Sequence, residues 1–419
     1  MLKPLSLLIL FSLFVQRSEG FSIVPERRTD RVSTKHGYLF IPAFVHVPGI
    51  GDAYGAGYVG ENILNSRTDF SIFAVTGDLN AVVVNLADIR LLDNHLGFEF
   101  TAYGTKFASL MFDRGGFSDV SSYFASIRNE YGSSGMINLT FWQSRLKFYG
   151  HLGPSKIQTT QVSDTVREKF DINDNTYFDT VSTTFGTTLD LTDSVLDPRE
   201  GLRVDLNRDG ETIFDPNRSH FYSVNLNTTA YLPVGRNTWA FNYFRSKAFI
   251  TQQSSLTQNQ LQNAMTQNCS QYTDPTVRLN CQNTESQRVK ERFTENLYGT
   301  AGSLGGDDRS RGYLSNRFHG SETQFFGTEF RWNLTDEGTP FNLGFMEGVR
   351  SNFQLAFFYE LGAVSDLPLP IEESPYRSTY GAGFRVLFSG LALRADLGFS
   401  AEGAQFIFFV GYPWQGSVL

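Results

Sequence analysis

Over most of its length this chain alternates apolar and polar side chains one by one, and no other feature narrows its folding options as much. In Gly201–Asn207, Leu202, Val204 and Leu206 share one face, and Arg203, Asp205 and Asn207 share the other. From His220 to Leu232, Tyr222, Val224, Leu226 and Leu232 oppose Ser223, Asn225, Asn227 and Thr229. Phe326, Phe330, Trp332 and Leu334 alternate with Glu329, Arg331 and Asn333. Phe353, Leu355, Phe357, Tyr359 and Leu361 alternate with Asn352, Gln354 and Glu360, and Leu391, Leu393 and Leu397 alternate with Arg394 and Asp396. A period of two is the mark of a strand with two unlike faces.

Two environments produce such strands. In a soluble sandwich the apolar face is the core. In a membrane barrel the apolar face meets lipid and the polar face lines the lumen. Three features favour the barrel. The patterned stretches run about 9 to 13 residues, the length of a tilted membrane strand. Aromatics recur near strand ends, as an interfacial girdle requires. Arg shares the polar stripes with Asp and Glu, as paired lumenal charges should.

Composition closes other routes. Charged residues make up 19% and aromatics 15% of the 419 residues, a balance unlike a disordered chain. Two cysteines cannot build a disulfide scaffold, and the net charge of −8 argues against nucleic acid as a partner. Past the N-terminus no apolar run is long enough for a membrane helix.

The first twenty residues differ. Lys3, the apolar run to Val15 and the small residues at Ser18 and Gly20 predict a signal peptide cleaved after Gly20, within two residues. Export implies an oxidising compartment, so Cys269 and Cys281 are expected to form a disulfide. Residues 21–37 read as a short periplasmic segment, 38–414 as the barrel and 415–419 as a C-terminal extension. The basic stretch Pro25–Arg31 reads as a solvated tail, with a plug or docking segment as the sharper alternative.

Sixteen strands are predicted, starting near Phe40, Ala53, Phe70, Ala81, Leu96, Met136, Leu146, Val181, Gly201, Phe221, Trp239, Thr323, Asn352, Thr379, Leu391 and Gln405. The number is even, as in bacterial single-chain barrels. Long outer loops are expected at Gly104–Ser134, with its charged Asp113-Arg-Gly-Gly116, at Lys156–Thr180, at Thr251–Arg317 and at Asp336–Arg350.

The chain ends in Phe406-Ile-Phe-Phe-Val-Gly-Tyr-Pro-Trp414, whose Phe406, Phe408, Gly411 and Trp414 look like the F-x-F-x-x-G-x-x-W ending of an outer-membrane family's last strand. Upstream lie Tyr380-Gly-Ala-Gly-Phe-Arg-Val386, Leu391-Ala-Leu-Arg-Ala-Asp-Leu-Gly398, Phe358-Tyr-Glu-Leu-Gly-Ala-Val-Ser-Asp366 and the Asp193–Gly201 hairpin with Pro198. Leu304-Gly-Gly-Asp-Asp-Arg-Ser-Arg-Gly-Tyr313 precedes them. Together these resemble the BamA-like outer-membrane assembly and translocation superfamily, over roughly residues 180–414. The resemblance implies an all-β transmembrane antiparallel barrel whose sixth extracellular loop folds into the lumen. Arg311, Gly312 and Tyr313 would form the loop tip, and Glu360, where the family usually has Asp, would receive Arg311. The alternation independently puts Glu360 on the lumenal face. An Arg–carboxylate pair is a strong tie for a loop of about sixty residues, whose closure entropy grows slowly with length. Gly312 would let the backbone approach the wall. Two departures stand out. Some twenty residues between Gly20 and the first strand are too few for a POTRA module, and five residues follow Trp414.

Motifs for chemistry are missing. His36, His46, His95, His151, His220 and His319 show no metal spacing, and no G-x-S-x-G elbow is present. Asp171-Ile-Asn-Asp-Asn175 starts like a calcium loop but lacks its Gly and its Glu. No catalytic residue, cofactor or metal is expected. What the resemblance implies is insertion or translocation of proteins at the outer membrane of a Gram-negative-type cell. Clients would pair with a weak seam between first and last strands, with Gly55, Gly57, Gly411 and Pro413 keeping that ladder imperfect. Outer-membrane lipid, client proteins and an unidentified periplasmic protein are the expected partners. The competing expectation is a passive channel or a structural barrel.

Overall fold

A computed structural model describes residues 24–28, 37–47, 51–63, 66, 68–92, 95–118, 123–163, 169–171, 176–335, 341–343, 346–349, 351–388 and 391–415. The expected signal peptide lies outside them, as do residues 172–175 of the stretch that starts like a calcium loop. The strands are β1 (Gly37–Val47), β2 (Gly51–Glu61), β3 (Asp69–Gly77), β4 (Asn80–Leu91), β5 (Leu96–Phe112), β6 (Tyr123–Phe141), β7 (Leu146–Ser163) and β8 (Lys169–Asp171). They continue as β9 (Phe178–Asp190), β10 (Gly201–Ile213), β11 (His220–Val234), β12 (Asn237–Gln252), β13 (Glu322–Asn333), β14 (Phe341–Leu343) and β15 (Met346–Val349). The last are β16 (Ser351–Ser365), β17 (Arg377–Phe388), β18 (Leu391–Ser400) and β19 (Gly403–Val410).

One antiparallel sheet holds seventeen of them, and β14–β15 form a separate hairpin. Short β8 extends from β7. The other sixteen follow one another in chain order, so the ring has the predicted number of staves. An even count returns both ends of the chain to one rim, here taken as periplasmic.

The side chains are distributed inside out. On β16, Phe353, Phe357 and Tyr359 are exposed at 41, 47 and 46%, while Asn352, Gln354 and Glu360 are buried. The largest fully buried side chains include Arg311, Arg317, Arg331, Arg385 and Arg394. A soluble sandwich would invert this pattern, because water solvates charges and repels Phe. Lipid outside and a polar interior account for it. Three of the four Trp, Trp142, Trp239 and Trp332, sit near the periplasmic rim, where an indole can anchor at the membrane interface.

The structure corrects several expectations. Strand β6 starts at Tyr123, not near Met136, and pairs with β5 along its whole length. The expected loop Gly104–Ser134 shrinks to residues 113–122. Glycines and small polar residues had masked the alternation there. The Lys156–Thr180 stretch likewise loses residues to β7, β8 and β9. The Asp336–Arg350 connection joins β13 to β16 and so lies on the periplasmic rim, not outside. The chain is also not purely β. Between β12 and β13 run the helices Gln258–Ala264 and Pro275–Tyr298. The longer is polar, with no apolar stripe to reveal it. Its start is capped by Asp274, which accepts from Thr276 N and Val277 N, with Pro275 in the first turn. The Cys269–Cys281 disulfide, with Cα atoms 5.6 Å apart, ties this helix to the turn before it. The bridge is buried against Phe124, Val162 and Phe170 of the barrel side.

Residues Val24–Arg28 are not a free tail. Arg28 N donates to Asp193 O at 2.6 Å, and its guanidinium reaches Asp193 and Asp197, both at 3.1 Å. Arg27 donates to Thr192 O at 3.0 Å and Asp190 O at 3.1 Å, and Arg145 donates to Pro25 O. The segment straps the β9–β10 hairpin at the periplasmic rim. Burial would raise the Asp197 carboxyl, but Arg199, Arg28 and the Tyr412 hydroxyl outweigh it and hold it below its ordinary value. A depressed carboxyl contributes stability above the unfolded pKa of about 4, and that stability is lost as pH falls below it. Limited proteolysis at Arg27 and Arg28 should therefore accelerate below about pH 4 and stay slow at neutral pH. Cleavage independent of pH would contradict the strap.

Candidate functional site

The β12–β13 loop descends through the lumen. At its extracellular end it is fastened twice. Arg317 donates to both oxygens of Glu402 in the β18–β19 turn, at 2.8 Å from Nε to Oε2 and from Nη2 to Oε1, and to Ser118 Oγ and O at 2.8 Å. Arg114 forks onto Asp366 at 3.0 and 2.8 Å and donates to Gly299 O at 2.6 Å. Arg114 belongs to the charged stretch noted in the sequence, but its partners were not legible there.

Deeper in the lumen lies the tip. Arg311 Nε donates to Glu360 Oε1 at 2.9 Å, and Arg311 N donates to Glu360 Oε2 at 2.9 Å. Glu360 thus receives the side chain with one oxygen and the loop backbone with the other, rather than a two-pronged guanidinium. Arg311 Nη1 bridges Glu329 on β13 at 3.0 Å and Asp396 on β18 at 2.7 Å. All four side chains are fully buried. Burial alone would lower the Arg311 pKa, but Glu360, Asp396 and Glu329 outweigh it and keep the guanidinium more firmly protonated than a free arginine. Its plane lies over the Phe358 ring, 3.6 Å from the centroid. Phe358, buried on β16, thus offers the guanidinium a cation–π face. Behind this centre, Arg331 donates to Glu329 at 2.9 Å, Arg385 to Glu329 at 2.7 Å, and Arg394 to Asp396 at 3.0 Å.

Gly312 presses against β18. A Cβ there would meet Phe399 C and O at 2.7 Å, and a Cβ on Gly398 would meet Arg311 O at 2.5 Å. Backbone packs on backbone at this contact, and only glycine permits it. Tyr313 is buried with its ring 5.0 Å from Phe318. Leu304, Tyr313 and Phe318 join Phe244, Phe325 and Trp414 in one lumenal apolar cluster. Each such ring contributes roughly 1.5–3 kcal/mol on burial, so the tip is held by packing as well as by charge.

Trp414 is the residue whose place the sequence misjudged. Phe406 and Phe408 lie on β19, and Phe406 is exposed at 48% on the outer face. The strand ends at Val410, where Gly411 takes φ +99°. Tyr412 and Trp414 then turn inward. Trp414 is fully buried, its N donates to Asp308 Oδ1 at 2.6 Å, and its O accepts from Asn227 Nδ2 at 2.8 Å. Its ring lies 5.5 Å from the Arg311 guanidinium. The C-terminal segment underpins the loop tip instead of presenting a free strand end. Gln415 is buried, and the rest of the extension lies outside the described residues.

Strands β1 and β2 share eleven register pairs, and β18 and β19 share eight. Among the described residues β1 and β19 share one, His46 with Phe408. Gly55 and Gly57 do not belong to this closing ladder, because they sit on β2 within its complete pairing to β1.

Fold and lumenal loop together define an outer-membrane β-barrel of the kind that carries its sixth outer loop inside. Among solved structures, CdiB from Escherichia coli is similar, with a TM-score of 0.50 and 10% identity over 90% of this chain and 61% of that one. BamA from Haemophilus ducreyi lacking POTRA domains 1–3 matches with a TM-score of 0.49 and 13% identity over 90% of this chain and 69% of that one. CdiB from Acinetobacter baumannii matches at 0.46 and 11%, over 90% and 59%. At these identities the likeness is one of fold, and the chain spans about three fifths of either CdiB. No family model matches the sequence, and no curated protein does.

Proposed function

We propose that this barrel inserts or translocates proteins at the outer membrane through the seam between β1 and β19. The observation that carries the reading is the single register pair joining those strands among the described residues. A strand edge with unspent backbone donors and acceptors is a template for another strand. A client β-strand would add to it, and the ring would close again when the client leaves. The seated loop tip and the C-terminal segment occupy the lumen and the helix packs at its extracellular end, which counts against a permanently open pore. A separate periplasmic protein would deliver clients.

Quantitative proteomics of outer membranes after depletion tests this. Selective loss of particular barrels or surface proteins is the expected result and names the clients. An unchanged proteome would reject the proposal in favour of a channel or structural barrel.

A further inference from the structure

A second concentration of charge lies near the extracellular end of the lumen, apart from the Arg311 centre. Arg128 from β6, Arg218 from the turn after β10, and Arg288 and Arg292 from the helix Pro275–Tyr298 line one cavity of about 200 Å³. Asp215 is the single acid in its lining. That carboxylate lies 3.5 Å from Arg292 and 3.7 Å from Arg218. Glu295, outside the lining, lies 3.1 Å from Arg292 and 3.7 Å from Arg218. Two acids thus answer two arginines.

The other two arginines have no ion pair among the described residues. Arg128 donates to Ser126 Oγ at 3.4 Å, and Glu211, Glu295 and Glu130 act on it at longer range. Arg288 Nη1 is shielded from solvent without a hydrogen-bond partner. Glu285, the acid that acts on Arg288, is engaged by the Gln262 side chain and by Gln267 N. Burial pushes the Arg288 guanidinium down to about 10 and, with help from Arg218, that of Arg292 down to about 9. Partly buried cations without a directly paired carboxylate are costly, and a shielded donor with no acceptor adds to the cost. A bound anion would remove both penalties.

We propose that this chamber binds a phosphate-class oxyanion between Arg288 on the loop helix and Arg128 on the barrel wall. Guanidinium forks match tetrahedral oxyanions in geometry and charge. The volume suits a small anion and is below that of ordinary organic-ligand pockets. The wall is continuously paired from β6 through β7, β9 and β10 to β11, so entry is from the aqueous side. Free phosphate, or phosphate on a soluble molecule, therefore fits better than a headgroup arriving through the bilayer. By joining helix to wall, the anion would stabilise the seated loop through mass action. This inference does not depend on the seam.

The test uses the full chain, purified in detergent free of phosphate and phospholipid, titrated calorimetrically with inorganic phosphate. Saturable binding is expected, weakened at least tenfold in Arg288→Gln and in Arg128→Gln, each shown folded by its gel migration before heating. Phosphate should also slow proteolysis of the 258–298 segment in the wild type and leave it unchanged in Arg288→Gln. A parallel titration uses phosphatidylcholine nanodiscs with and without phosphatidic acid. Binding that requires phosphatidic acid keeps the oxyanion site and transfers its source to a lipid headgroup. No saturable binding in any preparation, or equal binding by folded Arg288→Gln, overturns the proposal.

Discussion

Arg311→Ala should unseat the loop and cost about 3–5 kcal/mol, the usual penalty for removing one partner of a buried ion pair. The damage should concentrate on Glu360. Glu329 keeps Arg331 and Arg385, and Asp396 keeps Arg394. The hydrogen bonds that Glu360 accepts from the tip both come from Arg311, one through the side chain and one through the backbone. Glu360→Gln in the Arg311→Ala background should therefore recover part of the loss, because it removes the stranded charge. A double-mutant cycle on the thermal midpoint of the heat-modifiable gel band isolates this coupling. Arg311→Lys should rescue little, since a point charge on a flexible stem cannot reach three acids at once. Protease sensitivity at residues 304–313 reads loop release directly. An unchanged midpoint with a protected tip would show that packing of Tyr313, Phe318 and Trp414 holds the loop without the charge.

The second large effect concerns the seam. Cysteines placed at His46 and Phe408 would replace the register partners that join β1 and β19 among the described residues. Directly opposed antiparallel residues have Cα atoms about 4.5–5.5 Å apart, within disulfide range. The two native cysteines are already bonded to each other, so they do not compete. Oxidation should abolish rescue of a depleted strain, with a fall of at least tenfold in client levels, and a reductant should restore it. A control pair at Tyr359 and Tyr380, inside the continuous β16–β17 ladder, should have no effect. Opening at this place is what the proposed function requires. A backbone hydrogen bond contributes about 1 kcal/mol net, so the one pair found among the described residues would yield sooner than the eleven that join β1 to β2. Full activity of the oxidised His46–Phe408 variant would reject lateral opening.

Sequence and structure agree most closely where an element's surroundings repeat. Each wall strand has lipid on one face and the lumen on the other, so its environment is written into every second residue. Strand β16 could be read residue by residue in this way, including the inward Glu360. The reading failed where that repeat is diluted. Gly132, Ser133, Ser134 and Gly135 in β6 carry too little contrast to reveal a strand, and the start was misplaced to Met136. It failed again in the helix Pro275–Tyr298, whose apolar contacts gather around Cys281 and Val277 while its other partners include Asp113 and Asp215, so no apolar stripe marks it. The end signals of that helix, Asp274-Pro275 and Gly299, were in plain view.

Arg311, Gly312, Tyr313 and Glu360 were reached through a resemblance, and only the lumenal position of Glu360 had independent support from periodicity. Glu329 and Asp396, the other acids at the same guanidinium, stood in the alternating stripes without any sign that they converge there. That convergence depends on strand stagger and on where a sixty-residue loop turns back, and neither is a local property. The same holds for Trp414, which ends an aromatic run like a final strand and yet packs under the loop because Gly411 breaks the strand. By itself the sequence determined the barrel, its sixteen staves and its inward face, because lipid and water impose their contrast on each residue separately. Only the tertiary structure decided which buried charges share a partner and what fills the lumen, because those depend on residues brought together across the whole chain.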